Sequence, residues 1–249
     1  MEINENLHNK QDAILLLGKP VADSMQAELM AKAQSYKEKG LTPKLLMVRV
    51  GERSDDIAYE TGATKKMATI GIEVEHVLLA QDCTQQQLED IINEKNTDDS
   101  VHGILMFRPL PKHLDENRII RMINPEKDVD CMNPATLAGV LQSEDGGKVP
   151  CTPQAVIEIL RYYKIEMSGK NVAVLGRSTV IGKPVALLLL NENDTVTVCN
   201  SKTKDIKSVV GNADIVVSAM GRAKMVDSSY LKKGAVVIDV GMNTDENGK

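Results

Sequence analysis

The sequence predicts an α/β protein of two domains, each a parallel β-sheet covered by helices. Three observations lead there. Apolar runs of strand length alternate with amphipathic helical stretches along most of the chain. At 249 residues the chain is too long for one small core and suits two modest ones. With no Trp, one Phe and five Tyr, its cores must be built from Val, Ile, Leu, Met and Ala, which favours buried parallel strands over an aromatic-rich sandwich.

The elements follow in order. Residues 20–40 carry apolar positions at helical spacing and stop at Gly40. LLMVRVG, ending at Gly51, reads as a buried strand, and a helix runs from about Asp55 to Ile70. EVEHVLL (73–79) is a strand, 84–96 a helix, HGILMF (102–107) a strand and 115–124 a helix. The segment 125–155 changes character: Pro125, Pro134, Gly146-Gly147, Pro150 and Pro153 mark a crossing between domains, with a short helix near 135–142. Residues 151–165 form a helix with Thr152 as N-cap and Pro153 at the first helical position. A second alternating block comes next: strand 171–176, helix 184–191, strand 195–200, a helix in DIKSVVGN, and strands 213–220 and 235–241. That is the pattern of a doubly wound nucleotide-binding sheet. The expected domains are 1–147, including the crossing segment 125–150, and 148–249.

Composition narrows the function classes. The formal net charge is −5 and there is no long basic block, which argues against a nucleic-acid partner. No apolar stretch reaches the roughly 18 residues of a transmembrane helix. The polar start MEINENLHNK is unlike a targeting signal, which places the chain in the cytoplasm. Four dispersed cysteines without a CxxC pair read as reduced thiols, with no metal site.

The loop after the first strand of the second block is Gly176-Arg177-Ser178-Thr179-Val180-Ile181-Gly182-Lys183-Pro184. It is not GxGxxG, but glycines bracket a strand-to-helix turn whose backbone N–H groups and helix dipole attract a pyrophosphate. A tight turn in any α/β protein is the plainer alternative. The next strand ends Cys199-Asn200-Ser201, without a carboxylate at its tip for a ribose 2′-hydroxyl. Arg177 and a hydroxyl suit a 2′-phosphate, so NADP is expected rather than NAD. Ser201 also fits a helix N-cap, and Arg177 a solvated loop charge.

Several motifs in register then carry a specific resemblance. VGERSDDIAYETGATKKMATIGIEVEHVLL (50–79), GILMFRPLPKH (103–113), PEKDVD (125–130), PCTP (150–153), GRSTVIGKPVALLL (176–189) and AVVIDVGMN (235–243) resemble the methylenetetrahydrofolate dehydrogenase/cyclohydrolase family across nearly the whole chain. The resemblance implies two α/β domains with folate in the cleft between them and the nicotinamide on a C-terminal Rossmann domain. It implies oxidation of 5,10-methylenetetrahydrofolate to the 5,10-methenyl form, followed in many members by hydrolysis to 10-formyltetrahydrofolate. Tyr59 matches the tyrosine that stacks along the pterin and aminobenzoate, and Asp130 the aspartate that binds the pterin. A carboxylate can accept paired N–H bonds from an aminopyrimidine, while in isolation Asp130 also fits a turn or cap residue. Pro109 joins the substrate site. Gly176, Arg177, Ser178, Ile181, Gly182, Ser201 and Thr203 join the cofactor site, and a homodimer through the Rossmann half is implied.

Departures from the pattern carry as much information. Ala63 stands where the family has the lysine that moves protons in hydrolysis, and Phe107, followed by Arg108, where it has the glutamine that tunes that lysine. An alanine cannot transfer a proton and a phenylalanine cannot polarise a base. Lys66 lies within roughly 20° of the Tyr59 face, but two turns away. Asp56 stands where the family often has serine, and Ala155 where PCTPxG has glycine. The family also continues with a strand, a loop over the cofactor and a long returning helix, so the second domain reads as truncated before them. The expectation is an NADP-linked dehydrogenase with weak or lost cyclohydrolase activity; the alternative is a non-catalytic folate- or nucleotide-binding relative.

Overall fold

The computed structural model of the chain describes residues 13–142, 147–221 and 225–241. Gly146 of the crossing segment and Met242-Asn243 of the last motif lie outside them.

The first unit runs α1 (Gly18–Glu38), β1 (Lys44–Val50), α2 (Ser54–Ile70), β2 (Glu73–Leu79), α3 (Gln85–Thr97), β3 (Gly103–Met106) and α4 (Glu116–Met122). Its strands are parallel in the order β2-β1-β3. Side chains alternate across a strand, so Leu46, Val48 and Val50 of β1 share one face. There they pack on Leu88 and Ile92 of α3 and on Ile119 and Ile120 of α4. The other face of β1 carries Met47 and Arg49, both buried, and Arg49 reaches α2. The result is three layers. Each fully buried aliphatic side chain in it contributes about 1.5–3 kcal/mol.

α5 (Pro134–Gln142) and α6 (Cys151–Tyr162) lead into the second unit: β4 (Asn171–Leu175), α7 (Gly182–Asn191), β5 (Thr195–Cys199), α8 (Ile206–Gly211), β6 (Ile215–Ser218), a 3₁₀ turn at Ser228–Tyr230, and β7 (Val236–Asp239). Its sheet is parallel in the order β5-β4-β6-β7. Val172 and Val174 of β4 face α6 and α7 through Val156, Ile157, Leu160, Val185 and Leu189. Ala173 and Leu175 face the opposite side with Val210 of α8. The two units are tied by Tyr163, whose hydroxyl donates to the Leu17 carbonyl at 2.9 Å, and by Leu16 against the second core.

The expected two-domain α/β architecture is the one observed. Two local readings are corrected. α6 begins two residues earlier than expected: Cys151 is its first helical residue, Pro150 the N-cap and Thr152 no cap. Pro153 is tolerated there because first-turn N–H groups have no intrahelical acceptor. Ser201 is not the cap of α8; Asp205 is, its carboxylate accepting from the Ser208 N–H at 3.3 Å. Among the described residues no helix is long and apolar enough to cross a membrane.

Candidate active site

Both sheets reverse strand order at a point where parallel α/β sheets open a crevice beyond their carboxyl ends. In the first sheet this lies between β1 and β3. Phe107 extends β3 there, its N–H donating to the Val48 carbonyl at 2.9 Å. The loop beyond it is fixed by one carboxylate. Glu116 accepts from Arg108 Nε at 2.9 Å and Nη2 at 2.6 Å, and from the Leu110 N–H at 2.8 Å. Burial works against that carboxylate, but the Leu110 N–H and the Arg108 guanidinium hold it below the ordinary range. Pro109, preceded by a cis peptide, accepts from Arg53 Nη1 at 3.4 Å.

α2 is pinned to the sheet by a buried network. Glu60 accepts from Arg49 Nε at 2.9 Å, and its other oxygen lies 2.9 Å from His76 Nδ1. Thr64 Oγ1 lies 3.3 Å from His76 Nε2. Residues one helical turn apart share a face, so Glu60 and Thr64 turn inward while Tyr59 and Ala63 flank the cleft. Tyr59 is 63% exposed and Phe107 8%. Their rings meet edge to face, with centroids 5.8 Å apart and an interplanar angle of 81°. Lys66 is drawn elsewhere, its ammonium donating to Gln26 of α1, and Lys65 is exposed. Asp56, at the position of the absent serine, is buried with its carboxylate 3.7 Å from Arg53 Nε.

The PEKDVD turn separates its two aspartates by role. Asp128 is fully buried and bonds its own turn: one oxygen accepts from Met132 N at 3.1 Å, the other from Asn133 N at 2.8 Å. Asp130 is half-buried, and the side-chain bond acting on it comes from Cys151 at the start of α6. Burial raises the Asp130 carboxyl above its ordinary range, and that bond offsets part of the rise. Cys151 is exposed as a residue, but its sulfur faces inward, 3.6 Å from the Val129 carbonyl oxygen. Desolvation and the Asp130 charge push its thiol up to about 11. Burial, then Cys151 and Asp130, also raise the Tyr59 hydroxyl. The hydroxyl is thus neutral at physiological pH, and the three groups border one space where the two units meet.

In the second sheet the crevice lies between β4 and β6, and the Gly176–Pro184 loop fills its rim. A Cβ on Gly176, at φ +130, would stand 2.6 Å from the Ala219 carbonyl oxygen; one on Gly182 would stand 2.3 Å from the Gly176 oxygen. Only glycine permits this closeness. Ser178 Oγ accepts from the N–H groups of Ile181 at 3.1 Å and Gly182 at 3.3 Å, shaping the start of α7, and retains its own hydrogen to donate. Arg177 is exposed. The turn after β5 lies alongside, joined through the Gly176 N–H on the Cys199 carbonyl at 2.9 Å. Within that turn Thr203 Oγ1 accepts from the Asn200 N–H at 2.9 Å, and Ser201 is exposed. A glycine cradle, an outward guanidinium and neighbouring hydroxyls fit a dinucleotide. Among the described residues no group of three or more His, Cys, Asp or Glu is placed to hold a metal ion.

Sequence reasoning missed Cys151, Glu116 and the Arg49–Glu60–His76 network. PCTP was matched without a role for its thiol, and nothing in local spacing signals partners that far apart in the chain. A cavity of ≈ 590 Å³ is lined by Arg49, Gly51, Glu52, Arg53 and Leu78 to Gln81, at the carboxyl ends of β1 and β2.

Comparison with known proteins converges on one family. Residues 16–130 match the tetrahydrofolate dehydrogenase/cyclohydrolase catalytic domain, and residues 150–249 the NAD(P)-binding domain of the same family. The chain is 52% identical over 234 residues to the bifunctional protein FolD of Clostridioides difficile, covering 94% of this chain and 82% of that one. The Campylobacter jejuni bifunctional FolD dehydrogenase/cyclohydrolase superposes with a TM-score of 0.91 at 36% identity, over 94% and 83% of the two chains. The Trypanosoma brucei enzyme, solved with NADP and an inhibitor, gives 0.88 at 37% identity, over 95% and 83%. The chain belongs to the tetrahydrofolate dehydrogenase/cyclohydrolase family.

Proposed function

We propose that this chain oxidises 5,10-methylenetetrahydrofolate to the 5,10-methenyl form with NADP and does not hydrolyse the product. The observation that carries the reading is the pairing of Phe107 against Tyr59 beside Ala63. An apolar ring and a methyl occupy the two positions that the family uses for proton transfer.

Asp130 holds the pterin by accepting N–H bonds from its aminopyrimidine edge. Its hydrogen bond from Cys151 orients the carboxylate, and burial strengthens each bond it makes. Tyr59 offers a ring face to the flat pterin and aminobenzoate. NADP, when bound, supplies the hydride acceptor. Gly176 and Gly182 let the backbone approach its pyrophosphate, and Arg177 with Ser201 reads the 2′-phosphate. Hydride transfer asks mainly for positioning of the two partners, which these residues provide. Hydrolysis asks in addition for a base to activate water and an acid to protonate the departing nitrogen. Arg108 cannot exchange a proton near neutral pH, and Lys66 is engaged with Gln26. The exposed edge strand β5, with Thr195, Thr197 and Val198 open to solvent, supports a homodimer through this half.

The test is cofactor reduction by the purified chain with 5,10-methylenetetrahydrofolate. Turnover with NADP, at a kcat/KM well above that with NAD, is expected. No reduction with either overturns the dehydrogenase reading.

A further inference from the structure

Phe107 does more than mark a lost glutamine. Tyr59 is 63% exposed, and an exposed ring samples several rotamers unless a neighbour fixes it. Its helix is immobilised through Glu60, but that network stops at the backbone of α2. Ala63, one turn on, is too small to brace the ring. The brace is the one Phe of the chain. Phe107 is 8% exposed, is locked to β1 by its N–H bond to the Val48 carbonyl, and is followed by Arg108 in its two-point bond to Glu116. The ring centroids stand 5.8 Å apart at 81°, within the edge-to-face geometry aromatic pairs prefer. One ring is rigid and the other would otherwise be mobile, so the contact sets the plane of Tyr59.

We infer that Phe107 is a positioning residue for folate binding: it holds the Tyr59 ring at the angle at which its open face receives the planar part of the substrate. This rests on the folate reading of Tyr59 given above. The substitution thereby exchanges a polar group for a fixed stacking platform, so the site becomes a better binding surface as it ceases to be a hydrolytic one.

The experiment measures the Kd of tetrahydrofolate under anaerobic conditions, so it does not depend on turnover, together with the KM values of the dehydrogenase reaction. Phe107→Leu keeps the bulk and removes the ring. It should raise the tetrahydrofolate Kd and the folate KM by about threefold to tenfold, the size expected of one aromatic pair. The NADP KM and the melting temperature should stay as in the parent. Phe107→Tyr, which retains the ring, should bind within about twofold of the parent. In a Tyr59→Leu background, Phe107→Leu should add nothing, because the residue it positions is gone. An unchanged Kd in Phe107→Leu overturns the inference while leaving the dehydrogenase reading intact. A further rise in the Tyr59→Leu background overturns it too, by showing that Phe107 meets the ligand directly. Failure of the parent chain to bind tetrahydrofolate overturns the inference and the folate reading together.

Discussion

Asp194 gives the sharpest physical prediction. It sits between α7 and β5, 4% exposed, and neither carboxylate oxygen has a hydrogen-bond partner. Desolvation first, and the Glu192 charge second, push its carboxyl from 3.8 up to about 7. The sign follows from linkage. Between those two values the folded chain keeps a proton that the unfolded chain has released, so stability falls as pH rises through that window and levels off above it. The slope is about 1.4 kcal/mol per pH unit, and three units give a loss on the order of 4 kcal/mol. Asp194→Asn keeps the shape and cannot ionise. Urea unfolding of parent and variant, followed by circular dichroism at half-unit steps from pH 4.5 to 8, isolates the effect, because every other titrating group cancels in the difference. The variant should gain steadily on the parent up to about pH 7 and hold its lead beyond. A difference that stays flat across the window would refute the argument that this carboxylate is buried without compensation.

Further predictions concern the site. Restoring the family pair with Ala63→Lys and Phe107→Gln should raise methenyltetrahydrofolate hydrolysis at least tenfold over the parent, read as loss of the methenyl absorbance; no gain would count against the proposal that these two positions suppress hydrolysis. Asp130→Asn should weaken tetrahydrofolate binding by about tenfold to a hundredfold, since it replaces a charged acceptor with a neutral amide, while NADP binding measured by calorimetry stays unchanged. Gly182→Ala should abolish NADP binding, because its methyl would meet the Gly176 carbonyl, and circular dichroism should show the fold retained. Arg177→Gln should lower the NADP over NAD preference in kcat/KM by tenfold or more, with little change in the NAD value.

The fold was legible because each level of the sequence agrees with the next. β1 and β4 are near-continuous apolar runs, as strands buried on both faces must be, and Gly40, Gly51, Gly71 and Gly176 fall where elements end. The nucleotide loop was legible for the same reason: strand, glycine turn and helix are contiguous in the chain. The candidate folate site was suggested only through motif resemblance, and its geometry was not legible at all. Nothing in KDVD tells Asp128 from Asp130; the difference lies in which carboxylate meets the Met132 and Asn133 amides and which meets Cys151. Helical spacing placed Lys66 near the Tyr59 face, yet the packing of α1 on α2 brings Gln26 within its reach and takes it away. Thr152 had the chemistry of a cap, but the chain enters α6 two residues sooner. For Lys66 and Asp130 the deciding partner, Gln26 or Cys151, is distant in sequence, and local pattern carries no record of it.

The most direct measurement follows NADPH and 5,10-methenyltetrahydrofolate separately as the purified chain turns over 5,10-methylenetetrahydrofolate. NADPH and the methenyl product should rise together, with the product then decaying at its spontaneous rate whatever the enzyme concentration. A decay that accelerates in proportion to the enzyme would contradict the proposal, showing that hydrolysis survives without Lys at position 63 and Gln at position 107.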